Sequence, residues 1–204
     1  MKKNELIAII RGVDPDNIVN ITRALIESDI TWVEVSLSEE EKGLECIRRI
    51  RKEFKGEIHL GVGTVISERQ VDAALVAGAT YIITPGWDRK LTKYVLSKNV
   101  VVFPGVFSPG EIMQAASLGI DTVKVFPAID LGIGFIKNIQ GPFPDMKFMA
   151  VGGVTKENII DFKKAGYSAF AIGSDLVPRE ATESDLQKIK ENANTFKHLI
   201  TKEA

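Results

Sequence analysis

Short runs of apolar, largely β-branched residues alternate along the chain with longer stretches whose apolar positions recur at helical spacing. The runs IAII, WVEVSL, HLGVGTV, YIITP, VVVFPG, TVKVFP, FMAVGG and AFAIGS read as eight strands, each followed by a helical pattern. The segments AALVAGATYIITPG, QAASLGIDTVKVFP and DFKKAGYSAFAIGS share one order of helix, glycine, strand and turn. The unit recurs at a period of roughly 20 to 25 residues. Gly78, Gly119 and Gly166 stand where a helix C-terminus needs a left-handed residue, and LIESDITWVEVSL follows the same plan with Ser28 and Asp29.

Strand and helix alternating at this spacing call for parallel strands joined by right-handed crossovers, and eight such units close into an α/β (β/α)8 TIM barrel. No linker, low-complexity segment or composition shift divides residues 1–204, which predicts a single barrel domain. An open doubly wound sheet is the competing arrangement, but RGVDPDN follows the first strand where a dinucleotide fold would carry G-x-G-x-x-G. Strand parity then assigns directions. In WVEVSL, Val33, Val35 and Leu37 suit the helix layer, which leaves Trp32, Glu34 and Ser36 for the interior. In TVKVFP, Val123 and Val125 go outward, so Thr122, Lys124 and Phe126 go in. Glu34 and Lys124 thus come from the second and sixth strands, opposite each other across the barrel.

Composition narrows the partners. Apolar residues make up 45% of 204, enough for a sizeable core, and 26 Lys+Arg balance 27 Asp+Glu without a basic block, against a nucleic-acid partner. Cys46, the only cysteine, cannot form an internal disulfide, and LECIRR reads as a helix face with the thiol turned inward. His59 and His198 lie far apart and the lone cysteine adds no ligand spacing, so no metal site and no cofactor are expected; a carboxylate-bound Mg²⁺ is the alternative, without a motif to support it. The apolar run in MKKNELIAIIRG is too short for a signal peptide or a membrane span, so a cytoplasmic protein is expected.

The chemistry centres on Lys124. An amine is nucleophilic only when neutral; free lysine titrates near about 10.4, and burial pushes that value down. A carboxylate beside it pulls the other way, and a buried Glu–Lys pair can also be purely structural. Three further features point to a site. The turns VGGVTKEN and IGSD after the seventh and eighth strands are each expected to open a helix and offer N–H groups to a phosphate. Prolines shape the strand ends in ITPG, VFPG and VFPA, and Arg11 ends the first strand on the same rim.

The ordered series IAIIRG, VEVSL, GVGTV, ITPG, FPGVFSPGE, VKVFPA, AVGGVTKENI and IGSDL resembles the 2-keto-3-deoxy-6-phosphogluconate aldolases and their 6-phosphogalactonate and 4-hydroxy-2-oxoglutarate relatives over nearly the whole chain. The resemblance implies a class I lyase of carbohydrate metabolism, of the Entner-Doudoroff type. It would cleave a phosphorylated keto-deoxy sugar acid to pyruvate and glyceraldehyde 3-phosphate. It implies Lys124 as the Schiff-base lysine, Glu34 as the proton-transfer residue, and a homotrimer of barrels. Thr64 matches the residue that binds the pyruvyl carboxylate, Pro85 and Phe126 match the walls of that pocket, and Gly152, Gly153 and Ser174 match the phosphate loops. Arg11 would clamp either phosphate or carboxylate.

Two positions depart from the gluconate-type pattern, in which an arginine stands four residues after the glutamate in E-V-T-L-R-T and a threonine precedes the double glycine. Here those places hold Ser38 and Val151, closer to the galactonate-type members, and serine cannot replace a bidentate guanidinium. The acidic run SEEEKG is unusual on a rim expected to meet anions, and reads as a solvated helix start. The alternatives are a phosphosugar isomerase or epimerase on the same barrel, with Lys124 and Glu34 as acid and base, and a non-catalytic phosphosugar-binding protein.

Overall fold

Strand and helix alternate as the hydrophobic pattern predicts. The computed structural model describes residues 3–201, and its strands are β1 (Glu5–Ile10), β2 (Trp32–Ser36), β3 (His59–Gly63), β4 (Tyr81–Ile83), β5 (Val101–Phe103), β6 (Gly105–Val106), β7 (Thr122–Val125), β8 (Lys147–Val151) and β9 (Ala169–Ile172). They form one parallel sheet in the order β5-β4-β3-β2-β1-β9-β8-β7-β6.

Nine strands stand where the pattern predicts eight because Pro104 splits the fifth stave. Proline has no N–H for the ladder, so β5 pairs with β4 and β6 with β7. The break is bridged: Lys124 N donates to Pro104 O at 2.9 Å, and Gly105 N donates to the Thr84 hydroxyl at 3.2 Å. The two halves therefore serve as one stave that closes an eight-fold (β/α) barrel.

The helices are α1 (Pro15–Glu27), α2 (Glu40–Phe54), α3 (Glu68–Ala77), α4 (Arg89–Ser97), α5 (Pro109–Ala116), α6 (Ala128–Leu131), α7 (Phe135–Gln140), α8 (Ile159–Ala165) and α9 (Leu186–Thr201). Asp14, Ser67, Asp88 and Ser108 cap α1, α3, α4 and α5 by accepting from backbone N–H groups of the first turn. Each such cap stabilises its helix by about 1 kcal/mol and fixes where the loop from the strand ends. Gly78 and Gly166 terminate α3 and α8 at φ values of 111° and 113°, while Gly119 at 77° follows α5 by a short turn. Asp29, after α1, also takes a positive φ, and Lys197 donates to its carbonyl and carboxylate at 2.8 Å each.

Period-two alternation divides the apolar residues into two cores. Val33, Val35, Val123, Val125, Phe148 and Phe170 face outward and pack with the helices. Ile7, Ile9, Tyr81, Ile83, Phe103, Met149 and Val151 fill the barrel, with Trp32 and Phe126 at the edge of that cluster. Trp32 stacks on His59 at a centroid distance of 4.1 Å, at the N-terminal ends of β2 and β3. One end of the barrel is thus aromatic, and polar chemistry is left to the other. Cys46 is buried, its thiol donates to Val13 O at 3.5 Å, and burial pushes its pKa up to about 12.

Candidate active site

Glu34 and Lys124 lie on the inward parity of their strands and are the buried charged residues among the described ones, 2% and 6% exposed. In register, Ile9 and Gly61 flank Glu34, while Gly105 and Met149 flank Lys124. Neither side chain has a charged neighbour in its own layer of adjacent strands.

Strand β3 makes room for this. Its inward positions after His59 are Gly61 and Gly63. A Cβ at Gly63 would collide with the Glu34 carboxylate, and one at Gly61 with the Tyr81 ring. The bare inner face of β3 lets Glu34 lean in from one side and Tyr81 from the other. Tyr81 is fixed by its hydroxyl, which donates to Val33 O at 2.9 Å, so it does not satisfy Glu34. Oε2 of Glu34 has no hydrogen-bond partner among the described residues.

Burial dominates both ionisations. It pushes the Lys124 pKa down, the Glu34 charge opposes this, and the Arg11 guanidinium adds to the lowering. Burial pushes Glu34 up, against the pull of Lys124 and Arg11. Both shifts act toward the neutral forms, with burial the larger cause and the partner's charge opposing it. Nζ of Lys124 lies over the Phe126 ring, 4.6 Å from its centroid, so this aromatic side chain walls the amine.

Above this pair, Arg11, Phe126, Gly152, Gly153 and Ser174 line a single cleft of about 230 Å³, together with Ile9 and Val151. Thr64 lies in the hydroxyl line of the β2 and β3 ends. Its Oγ1 is 3.0 Å from Ser36 Oγ, which is 3.2 Å from Ser38 Oγ. Its φ of 62° is a costly conformation for a β-branched residue and one associated with functional sites. Pro85 lies apart from the cleft, in a groove of about 200 Å³ with Val65, Ile66, Thr84 and Trp87.

The glycine turns differ from expectation in one respect: neither opens directly into a helix. Gly152 and Gly153 adopt φ values of 88° and 73°, and Asn158 then folds back, donating to Gly153 O and accepting from Thr155 N at 2.8 Å each. α8 begins only at Ile159, and Gly173 starts a turn whose carbonyl accepts from Leu176 and Val177 at 2.9 Å each. The N–H groups of Gly153 and Ser174 have no acceptor among the described residues. Anion binding here would rest on these loop amides and Arg11, with no helix dipole aimed at it.

The acidic run has a structural explanation. Glu40 accepts a bidentate pair from Arg69 at 2.5 and 2.7 Å and a third bond from Gln70 at 3.0 Å, so its charge is matched at the rim. Two residues of the site carry no role in the sequence reading, Gly63 and Ser36. Alternate glycines in HLGVGTV and the inward parity of Ser36 are the signals that mark them.

Fold and site together define a (β/α)8 barrel with a lysine and a carboxylate buried on its inner face. A sequence model of the KDPG and KHG aldolases matches residues 1–192, and the chain belongs to this family. It is 37% identical to the 2-dehydro-3-deoxy-phosphogluconate aldolase of Pseudomonas aeruginosa, over 82% of this chain and 76% of that one. It is 32% identical to the probable 2-dehydro-3-deoxy-6-phosphogalactonate aldolase of Rhizobium meliloti, over 90% and 86%. Among solved structures it resembles the KDPG aldolase of Legionella pneumophila with pyruvate captured as a covalent carbinolamine, at a TM-score of 0.81 and 26% identity, covering 98% and 93% of the two chains.

Proposed function

We propose that this aldolase forms a Schiff base at Lys124 and cleaves 2-keto-3-deoxy-6-phospho sugar acids to pyruvate and glyceraldehyde 3-phosphate. The observation that carries the reading is the opposed buried pair, whose shifts favour a neutral amine and a protonated carboxyl. Neutral Nζ attacks the C2 ketone to give a carbinolamine. Glu34 protonates the departing hydroxyl, which leaves as water, and the iminium remains. The resulting Glu34 carboxylate takes the C4 hydroxyl proton as the C3–C4 bond breaks, and the bonding pair flows into the iminium to give an enamine. Protonation at C3 and hydrolysis then release pyruvate and restore the amine.

Binding follows the geometry above. The phosphate would sit on the free N–H groups of Gly153 and Ser174, beside Gly152 and within reach of Arg11, which lines the same cleft. The pyruvyl carboxylate would meet Thr64, and Phe126 would wall the reacting carbons, with Pro85 shaping the far side of the rim. Either phosphate or carboxylate is a partner for Arg11. The whole chain would act as one domain in the cytoplasm, as a homotrimer, using no metal or cofactor. The exposed apolar residues Ile66, Phe107 and Met113 are consistent with a subunit interface.

Galactonate-type or broad epimer preference is the reading we adopt. Ser38 is exposed and engaged with Ser36, and Val151 presents an apolar side chain to the cleft, so neither position offers the contacts of the gluconate-type arginine and threonine. A coupled assay of pyruvate release from the two phosphorylated C4 epimers tests this. The galactonate epimer should give a kcat/KM equal to or above that of the gluconate epimer. Strict gluconate preference would reject the specificity, and no pyruvate from either would reject the activity.

A further inference from the structure

Ser36 is 4% exposed and lies on β2 two residues beyond Glu34, on the same inward face. Its hydroxyl is the middle member of the line Ser38–Ser36–Thr64, with contacts of 3.2 and 3.0 Å. The backbone N–H of Ser38 also donates to Ser36 Oγ, at 3.4 Å. Three hydroxyls joined by two hydrogen bonds use two of their three protons; with one Ser36 lone pair taken by the Ser38 N–H, Ser36 cannot accept from both neighbours, so the remaining proton sits at one end of the line. When the line runs from Ser38 to Thr64, Ser36 accepts on the Ser38 side and donates to Thr64, and the Thr64 proton is left free. Run in reverse, the free proton would sit on Ser38, which is solvent-exposed, and Thr64 would offer only lone pairs. An anionic oxygen arriving at Thr64 selects the first direction.

We propose that Ser36 is a positioning residue: by donating to Thr64 Oγ1 it turns the Thr64 proton toward the substrate carboxylate. The inference rests on the reading of this protein as a pyruvate-forming aldolase with Thr64 at the carboxylate. Thr64 is held at a φ of 62°, a conformation it would not choose unaided, so the backbone that carries its hydroxyl is fixed by its surroundings. Among the described residues, Ser36 is the hydrogen-bond partner of the Thr64 hydroxyl. The Ser38–Ser36–Thr64 line thus occupies the flank where gluconate-type members carry an arginine, and it orders one neutral donor in place of a guanidinium.

Borohydride trapping with pyruvate alone tests the idea, because pyruvate brings the carboxylate without the phosphate. The readout is the pyruvate concentration that half-saturates trapping, measured for the wild type, Ser36→Ala and Ser36→Thr. Ser36→Ala should raise it about tenfold, the effect of losing roughly one oriented hydrogen bond, while trapping at saturating pyruvate stays near the wild-type level. Ser36→Thr, which restores the hydroxyl in the form found in the E-V-T-L-R-T pattern, should return it to within about twofold, well inside one tenfold step. A hydroxyl that only supports the fold would shift the melting temperature and leave half-saturation unchanged, and that result would overturn the proposal. So would a Ser36→Thr protein as weak as Ser36→Ala. If Ser36→Ala does not fold, Ser36→Cys, with similar volume but a weak donor, is held to the same standard. A wild-type protein that traps no pyruvate would instead refute the aldolase reading itself.

Discussion

The paired shifts of Lys124 and Glu34 make a prediction with a definite sign. Lys124 is lowered from 10.5 by burial and by Arg11, while Glu34 raises it. The rate of pyruvate trapping should therefore rise with pH through an apparent pKa below 10.5, as the amine loses its proton. Replacing Glu34 by Gln removes the raising influence and should move that pKa further down. Arg11→Ala removes a lowering influence and should move it up. A common direction for both variants would contradict the electrostatic account. Glu34→Gln should also cost about 10²- to 10⁴-fold in turnover, the range for loss of a general acid–base group.

At the scale of elements, the inner face of β3 sets the geometry of the pair. Gly63→Ala adds one methyl where the Glu34 carboxylate now lies, and Glu34 comes from the neighbouring strand, so the side chain must move. The expected result is a loss of turnover of about 10²-fold or more, with the fold retained by circular dichroism, because misplacement by about 1 Å is costly in a preorganised site. Unchanged kcat would show that the position of Glu34 is not critical. The inward placement of Lys124, Glu34 and Phe126 was legible in the sequence because period-two alternation is strict in a barrel strand buried on both faces. The split of the fifth stave was not foreseen, although Pro104 carries its cause, since VVVFPG reads as one continuous apolar run. Nor could alternation reveal that Asn158 folds the glycine turn back before α8, because that depends on a local side-chain bond. The match of Glu40 to Arg69 joins residues from two successive helices, a long-range pairing invisible in the run SEEEKG alone.

Across the whole molecule, the site should lower stability. Between the unfolded value of 10.5 and its lower folded value, Lys124 binds a proton in the unfolded chain but not in the folded one, so stability falls as pH drops through that window. Glu34, raised from 4.5, holds a proton in the folded chain that the unfolded chain has lost, so stability falls as pH rises from 4.5 through the folded value. Near neutral pH both groups oppose folding. Lys124→Met removes the amine and keeps an apolar chain of similar length. Thermal unfolding at neutral pH should show a higher melting temperature than the wild type, together with no turnover. A lower melting temperature would mean that the amine is stabilised by contacts outweighing its burial.

The covalent role of Lys124 is the central claim, and it is read directly by borohydride reduction with saturating pyruvate followed by peptide mass mapping. The account predicts one reduced pyruvyl adduct per chain, on Lys124, and none in Lys124→Met. Labelling at another lysine, or no labelling of the wild-type protein, would contradict it.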